Sequence, residues 1–119
     1  MKILFHGGSV VSGQGVRRLD VLVEDGKVAE TAAAIQAPDA QRVDCTGKLL
    51  FPGFIDGHTH FDLEVCGTIT ADDFATGSRA ALRGGTTMVA DFAAPDKGEA
   101  LAAGLERWRR KSEGKTACD

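Results

Sequence analysis

Positive charge is in short supply in this chain. Fourteen Lys and Arg against seventeen Asp and Glu leave a net charge of −3, so there is no basic excess to meet a phosphate backbone, and nucleic acid is excluded as a partner. Long hydrophobic runs are missing too. None approaches the roughly 20 residues of a transmembrane span, which argues against a membrane partner. The opening Met1-Lys2-Ile3-Leu4-Phe5-His6 reaches Gly7-Gly8 after only a short apolar run and does not read as a signal peptide. Cysteine is scarce. Cys45, Cys66 and Cys118 are odd in number, widely spaced and form no C-x-x-C, which excludes a disulfide framework and reads as reduced thiols of a cytoplasmic protein. There is no internal repeat and no low-complexity tail.

What is present is ordinary for a globular chain: 119 residues, 43% of them hydrophobic, enough for one small domain with its own core. The first part reads as short strands. Ile3 to Val11 is a strand broken at Gly7-Gly8, Ser12 to Gly15 a loop, and Arg18 to Glu24 an alternating strand. Asp25-Gly26 is a hairpin signal, with Lys27 to Ala29 pairing back. Glu30 to Ala40 reads as irregular or a brief helical turn. Gln41 to Cys45 is a strand ending in the turn Thr46-Gly47.

The pattern then changes. Leu49 to Ile55 is apolar apart from Pro52-Gly53, as a strand buried on both faces should be. Phe61 to Ile69 follows as a loop. Thr70 is positioned to cap a helix whose first turn holds Asp72 and Asp73 and which runs to Arg83. Phe74, Ser78, Ala81 and Leu82 form its apolar side, with Gly77 allowing close approach to a sheet, and Gly84 or Gly85 ends it. Thr86 to Phe92 is a second buried strand. Glu99 to Lys111 is a second helix with Leu101, Leu105 and Trp108 on one face and a Glu106–Arg110 pair. Lys115 to Asp119 begins a third strand. Strand alternating with helix is a parallel α/β pattern.

The chemistry concentrates in Phe51-Pro-Gly-Phe-Ile-Asp-Gly-His-Thr-His-Phe-Asp62. On an extended chain side chains alternate faces, so His58 and His60 point to one side and can share a metal ion. In a parallel barrel the strands' carboxyl ends carry the active site, and both histidines lie at such an end. Asp56 shares their face, and two readings stay open: it orients an imidazole, or it satisfies backbone groups. Asp91, at the end of the second strand, reads as structural. His6 belongs to the first β region and reads as a surface or sheet residue.

FPGFIDGHTH resembles the first barrel strand of the amidohydrolase superfamily, and ADDFATGSRAALRGGTTMVADF resembles its branch of dihydropyrimidinases and D-hydantoinases. The likeness runs through nearly the whole chain to Gly114-Lys-Thr-Ala-Cys-Asp119 and is most specific from Phe51 to Phe92. It implies an α/β fold with residues 1–48 as half of a composite small β-sandwich. Residues 49–119 would be the first β/α units of a TIM-like (β/α)8 barrel, incomplete here, since such a barrel takes about 250 residues.

The resemblance also implies an activity, the metal-dependent hydrolytic opening of dihydropyrimidines or 5-substituted hydantoins to N-carbamoyl amino acids. His58 and His60 match the family's paired metal ligands. Two zinc ions per subunit are implied, and the carboxylated lysine that bridges them, two further histidines and the aspartate that moves the proton would lie beyond residue 119. No catalytic residue therefore falls within this chain, and the 119-residue piece by itself should be inactive. The partners implied are a small cyclic amide and, when the protein is complete, further copies of itself in a tetramer.

Leu63, Val65 and Cys66 belong to the loop that borders the family's substrate pocket. Glu64 stands where proline is usual and Cys66 where glycine is usual, which leaves the ring substituent open. Dihydroorotases and allantoinases share the first strand and remain an alternative. So does a non-catalytic dihydropyrimidinase-like scaffold, although such scaffolds lack the histidine pair.

Overall fold

The computed structural model describes residues 1–119 and divides into two units, Met1–Pro52 and Gly53–Asp119. The chain is α/β, mostly strands with two helices, and no helix is long and apolar enough to cross a membrane.

Seven strands make the first unit: β1 (Lys2–His6), β2 (Ser9–Ser12), β3 (Gly15–Arg18), β4 (Asp20–Glu24), β5 (Lys27–Ala32), β6 (Gln41–Asp44) and β7 (Leu49–Leu50). They form two sheets, ordered β5-β4-β1-β6 and β3-β2-β7. The Gly7-Gly8 break hands the chain from the first sheet to the second. Asp25 and Gly26 sit at φ 49° and 78°, the left-handed pair that a two-residue hairpin turn requires, and they join β4 to β5 antiparallel.

Two expectations for this unit need correction. Arg18 to Glu24 is not one strand, because the chain changes sheets at Leu19, whose N–H donates to the Gly8 carbonyl. The stretch from Glu30 to Ala40 is irregular, as expected, only from Ala33 onward. It continues β5 to Ala32 and then folds Ile35 and Ala37 onto Leu4, so that all three are buried, with Leu22, Ala32 and Ala40 packed around them. Asp20 holds that fold in place. Its carboxylate accepts the Gly7 N–H at 3.0 Å and the Ile35 N–H at 3.1 Å, and the Gly7 N–H above all keeps the carboxyl below its ordinary pKa.

The second unit contains β8 (Phe54–Thr59), β9 (Glu64–Val65), β10 (Thr68–Ile69), α1 (Phe74–Arg83), β11 (Thr86–Asp91) and α2 (Leu101–Ser112). β8 and β11 pair in parallel across α1. The apolar run Leu49 to Ile55 is therefore two strands in two sheets. Leu49 and Leu50 pair with β2, whereas Phe54 onward pairs with β11. Pro52 brings no N–H to a ladder, and a side chain at Gly53 would run into Thr87.

α1 starts three residues later than Thr70 capping would place it. Asp73 is the N-cap. It accepts the Thr76 N–H at 2.8 Å, and Thr76 Oγ1 accepts the Asp73 N–H at 3.1 Å, a reciprocal box that satisfies two orphan donors. The Thr76 N–H also lowers the Asp73 pKa. No acidic residue lies in the first turn, and Thr70 Oγ1 instead accepts the Leu63 N–H.

The buried face of α1 is Phe74, Gly77 and Ser78, while Leu82 stays exposed. A Cβ at Gly77 would run into the Phe61 ring. After the helix, Gly85 takes φ 88°, the left-handed stop. α2 buries Gly104 and Trp108 but leaves Leu101 and Leu105 exposed, so its apolar stripe and its packed face coincide only at Trp108. The expected third strand is reduced to Asp119, which exchanges hydrogen bonds with Thr87 O and Val89 N beside β11. Lys115 to Ala117 turn instead of pairing.

Candidate metal centre

Two residues of β11, Val89 and Asp91, face Asp56 and Thr59 of β8, which are three apart. One extra residue is therefore accommodated in β8 around Gly57-His58. Such a bulge kinks a strand and re-aims its side chains. His58 at the bulge and His60 beyond it bring their Nε2 atoms to 3.1 Å. The rings meet edge to face at a 5.0 Å centroid separation, and Phe92 lies against both, at 4.5 Å from His58 and 5.4 Å from His60. No third His, Cys, Asp or Glu joins them in a ligand set.

Asp56 lies on the other side of the bulge. Its carboxylate accepts the backbone N–H of His58 at 3.1 Å. His6 is in β1 of the first unit. The stretch Phe61 to Ile69 is not a plain loop. It contains the small antiparallel hairpin β9–β10, turned at Cys66 and Gly67. Cys66 takes φ 51°, the left-handed conformation for which glycine is the easy choice. Val65 and Cys66 are exposed at the tip, and Leu63 is half-buried at its base.

Sequence reasoning missed the polar frame behind the histidines. Asp91 Oδ2 accepts the Thr59 hydroxyl at 2.9 Å and the Phe61 N–H at 2.8 Å, and its Oδ1 accepts Trp108 Nε1–H at 2.8 Å. Lys111 Nζ donates to the Asp62 carbonyl at 2.6 Å and lies over the Trp108 ring. Arg107 ties Asp96, Glu99 and the Ala94 carbonyl together. Consecutive turns of α2 thus hold the segments that follow β8 and β11. The only signal in the sequence was a strand-end aspartate followed, one helix later, by a lone tryptophan.

The chain and its fold have close counterparts. The model of the Amidohydrolase family matches residues 49–114. Dihydropyrimidinase 2 of Caenorhabditis elegans is 44% identical over 120 residues, covering 100% of this chain and 23% of its own length. The D-hydantoinase of Geobacillus stearothermophilus is 40% identical, covering 100% of this chain and 25% of its own length. The crystal structure of dihydropyrimidinase from Brevibacillus agri NCHU1002 superposes with a TM-score of 0.96 at 42% identity, over 100% of this chain and 26% of that one. The chain thus spans about a quarter of the length of the curated relatives it matches. With the family model covering more than half of its residues, the chain belongs to the amidohydrolase family, beside the dihydropyrimidinases and D-hydantoinases.

Proposed function

We propose that the whole protein is a metal-dependent hydrolase that opens cyclic amides, either dihydropyrimidines or 5-substituted hydantoins, to N-carbamoyl amino acids. In this reading residues 1–48 are half of a composite β-sandwich, and residues 49–119 are the first β/α units of a (β/α)8 barrel. The observation that carries it is the histidine pair at the carboxyl end of a parallel strand. The two Nε2 atoms are 3.1 Å apart, close to the roughly 3.3 Å that separates two nitrogens bound tetrahedrally to one zinc at about 2.0–2.1 Å.

His58 and His60 fit as two ligands of such a site, and the remaining ligands, among them a carboxylated lysine, would come from the rest of the protein. Bound metal supplies an activated water and polarises the ring carbonyl. This chain's own part is to hold the imidazoles. The bulge aims them, Phe92 packs on both rings, and Asp56 fixes the His58 backbone. Leu63, Val65 and Cys66 border the ring substituent, and the complete enzyme is a cytoplasmic tetramer.

The test is an assay of the full-length protein on dihydrouracil, a 5-substituted hydantoin, dihydroorotate and allantoin, before and after chelation. Hydrolysis of either of the first two, lost on chelation, restored by zinc and abolished in a folded His60→Ala variant, is the expected result. Turnover confined to dihydroorotate or allantoin would move the protein to a neighbouring activity. No turnover on any of the four would leave it a scaffold.

A further inference from the structure

The carboxylate of Asp91 does something that strand-end satisfaction does not require. A single oxygen, Oδ2, accepts from Thr59 and from Phe61, the residues on either side of His60. Those two bonds tether both neighbours of the imidazole, Thr59 by its hydroxyl and Phe61 by its backbone N–H. The other oxygen is held by Trp108 Nε1–H from α2, so the carboxylate cannot rotate away. Phe92, the next residue, packs on both imidazole rings. The last residue of β11 and the one after it therefore tether both neighbours of His60 and pack on its ring.

We propose that Asp91 is a positioning residue for the His58–His60 pair, acting through the Thr59 hydroxyl and the Phe61 N–H that flank His60 and locked by Trp108. The proposal rests on the metal reading above. The chemistry demands a carboxylate, because all three partners are donors. An asparagine could turn its oxygen to Thr59 and Phe61, but its amide N–H groups would then face the Trp108 N–H. Removing that opposing donor should relieve the conflict.

The experiment uses the full-length zinc-loaded protein, with zinc affinity measured by chelator competition alongside melting temperature, kcat and KM. Asp91→Asn should lower zinc affinity by roughly tenfold or more, the size expected when an imidazole loses its support, and reduce kcat more than KM. Trp108→Phe alone should release zinc moderately faster than the parent. Asp91→Asn combined with Trp108→Phe should hold zinc better than Asp91→Asn alone, a rescue that a merely structural role would not produce.

Parental zinc affinity in a folded Asp91→Asn protein overturns the proposal, as does a double variant no better than the single one. Should Asp91→Asn not fold, Trp108→Phe decides, and zinc release at the parental rate overturns it. The parent and His60→Ala are run beside these. A parent that binds no zinc, or a His60→Ala that binds it as well as the parent, removes the metal reading itself and not only the role of Asp91.

Discussion

Leu4 and Ile55 occupy the same kind of place, an apolar position within a short strand, yet Leu4 is 0% exposed and Ile55 is 68% exposed. The reason lies in what each unit brings to its own sheet. β1 is paired on both edges, and the segment from Ile35 to Ala37, tied down by Asp20, folds over Leu4. β8 pairs with β11 alone. α1 and α2 bury Phe74 and Trp108, but Ile55, Met88, Phe92, Leu101 and Leu105 all remain exposed. A mixed sheet, with β1 antiparallel to β4 and parallel to β6, closes its core here with its own loop. Strands of a parallel layer are covered on both faces in the folds that use them, and two helices do not provide that.

The sharpest way to break the comparison is to study residues 1–119 alone. The first unit's core should persist, while the exposed Ile55, Met88, Phe92, Leu101 and Leu105 of the second unit should drive self-association. Sedimentation should show species heavier than a monomer, with a dye for apolar surface bound. After dialysis the piece should retain little zinc, since two imidazoles are fewer than the three or four protein ligands a tight site uses. A monodisperse monomer with cooperative unfolding, or one tightly held zinc per chain that His58→Ala removes, would contradict this account of the second unit.

A smaller effect sharpens the comparison inside the full-length protein. Leu4→Ala removes a buried side chain and should cost about 2–5 kcal/mol. Ile55→Ala should cost the same order there, because the rest of the protein is expected to cover that face. If Ile55→Ala changes the denaturant midpoint by less than the equivalent of about 0.5 kcal/mol, as for an exposed site, the face stays open in the complete molecule.

Much of this was legible in the residues. The Asp25-Gly26 turn, the break at Gly7-Gly8, the parallel strand–helix–strand order and the convergence of His58 with His60 follow from local rules, because turn conformation and side-chain alternation depend on near neighbours. Other features were not legible, because they depend on distant partners. Leu49 to Ile55 is one apolar string, and only pairing with β2 and β11 divides it. Thr70 and Asp73 are both competent caps, and Thr70 is taken by the Leu63 N–H. Ile35 and Ala37 lie in a segment without periodicity, and Asp20, fifteen residues earlier, buries them. The hub at Asp91 needs Trp108 seventeen residues later.

The smallest expected effect sets the two hub carboxylates apart. Asp20, like Asp91, joins separate segments by accepting their N–H groups, but it lies in the unit that closes on itself. Gly7 N–H, with Ile35 N–H and the nearby charges of His6 and Arg42 assisting, holds its carboxyl below the ordinary value of 3.8 against the opposing pull of burial. A group whose pKa is depressed in the folded state stabilises fully above its unfolded value, and that contribution is lost as pH falls through the folded value. Asp20→Asn cannot titrate, keeps one acceptor oxygen, and turns an amide N–H group toward a second donor. The variant should therefore be less stable than the parent at pH 7, and the gap should shrink once the pH drops below about 3.8. Denaturant midpoints of the full-length pair, taken from pH 7 down to the lowest pH at which the parent still folds, measure that gap directly. A gap that stays constant over the range would mean that Asp20 acts through shape alone. It would also mean that the loop carrying Ile35 and Ala37 is held over Leu4 by packing, without help from the charge.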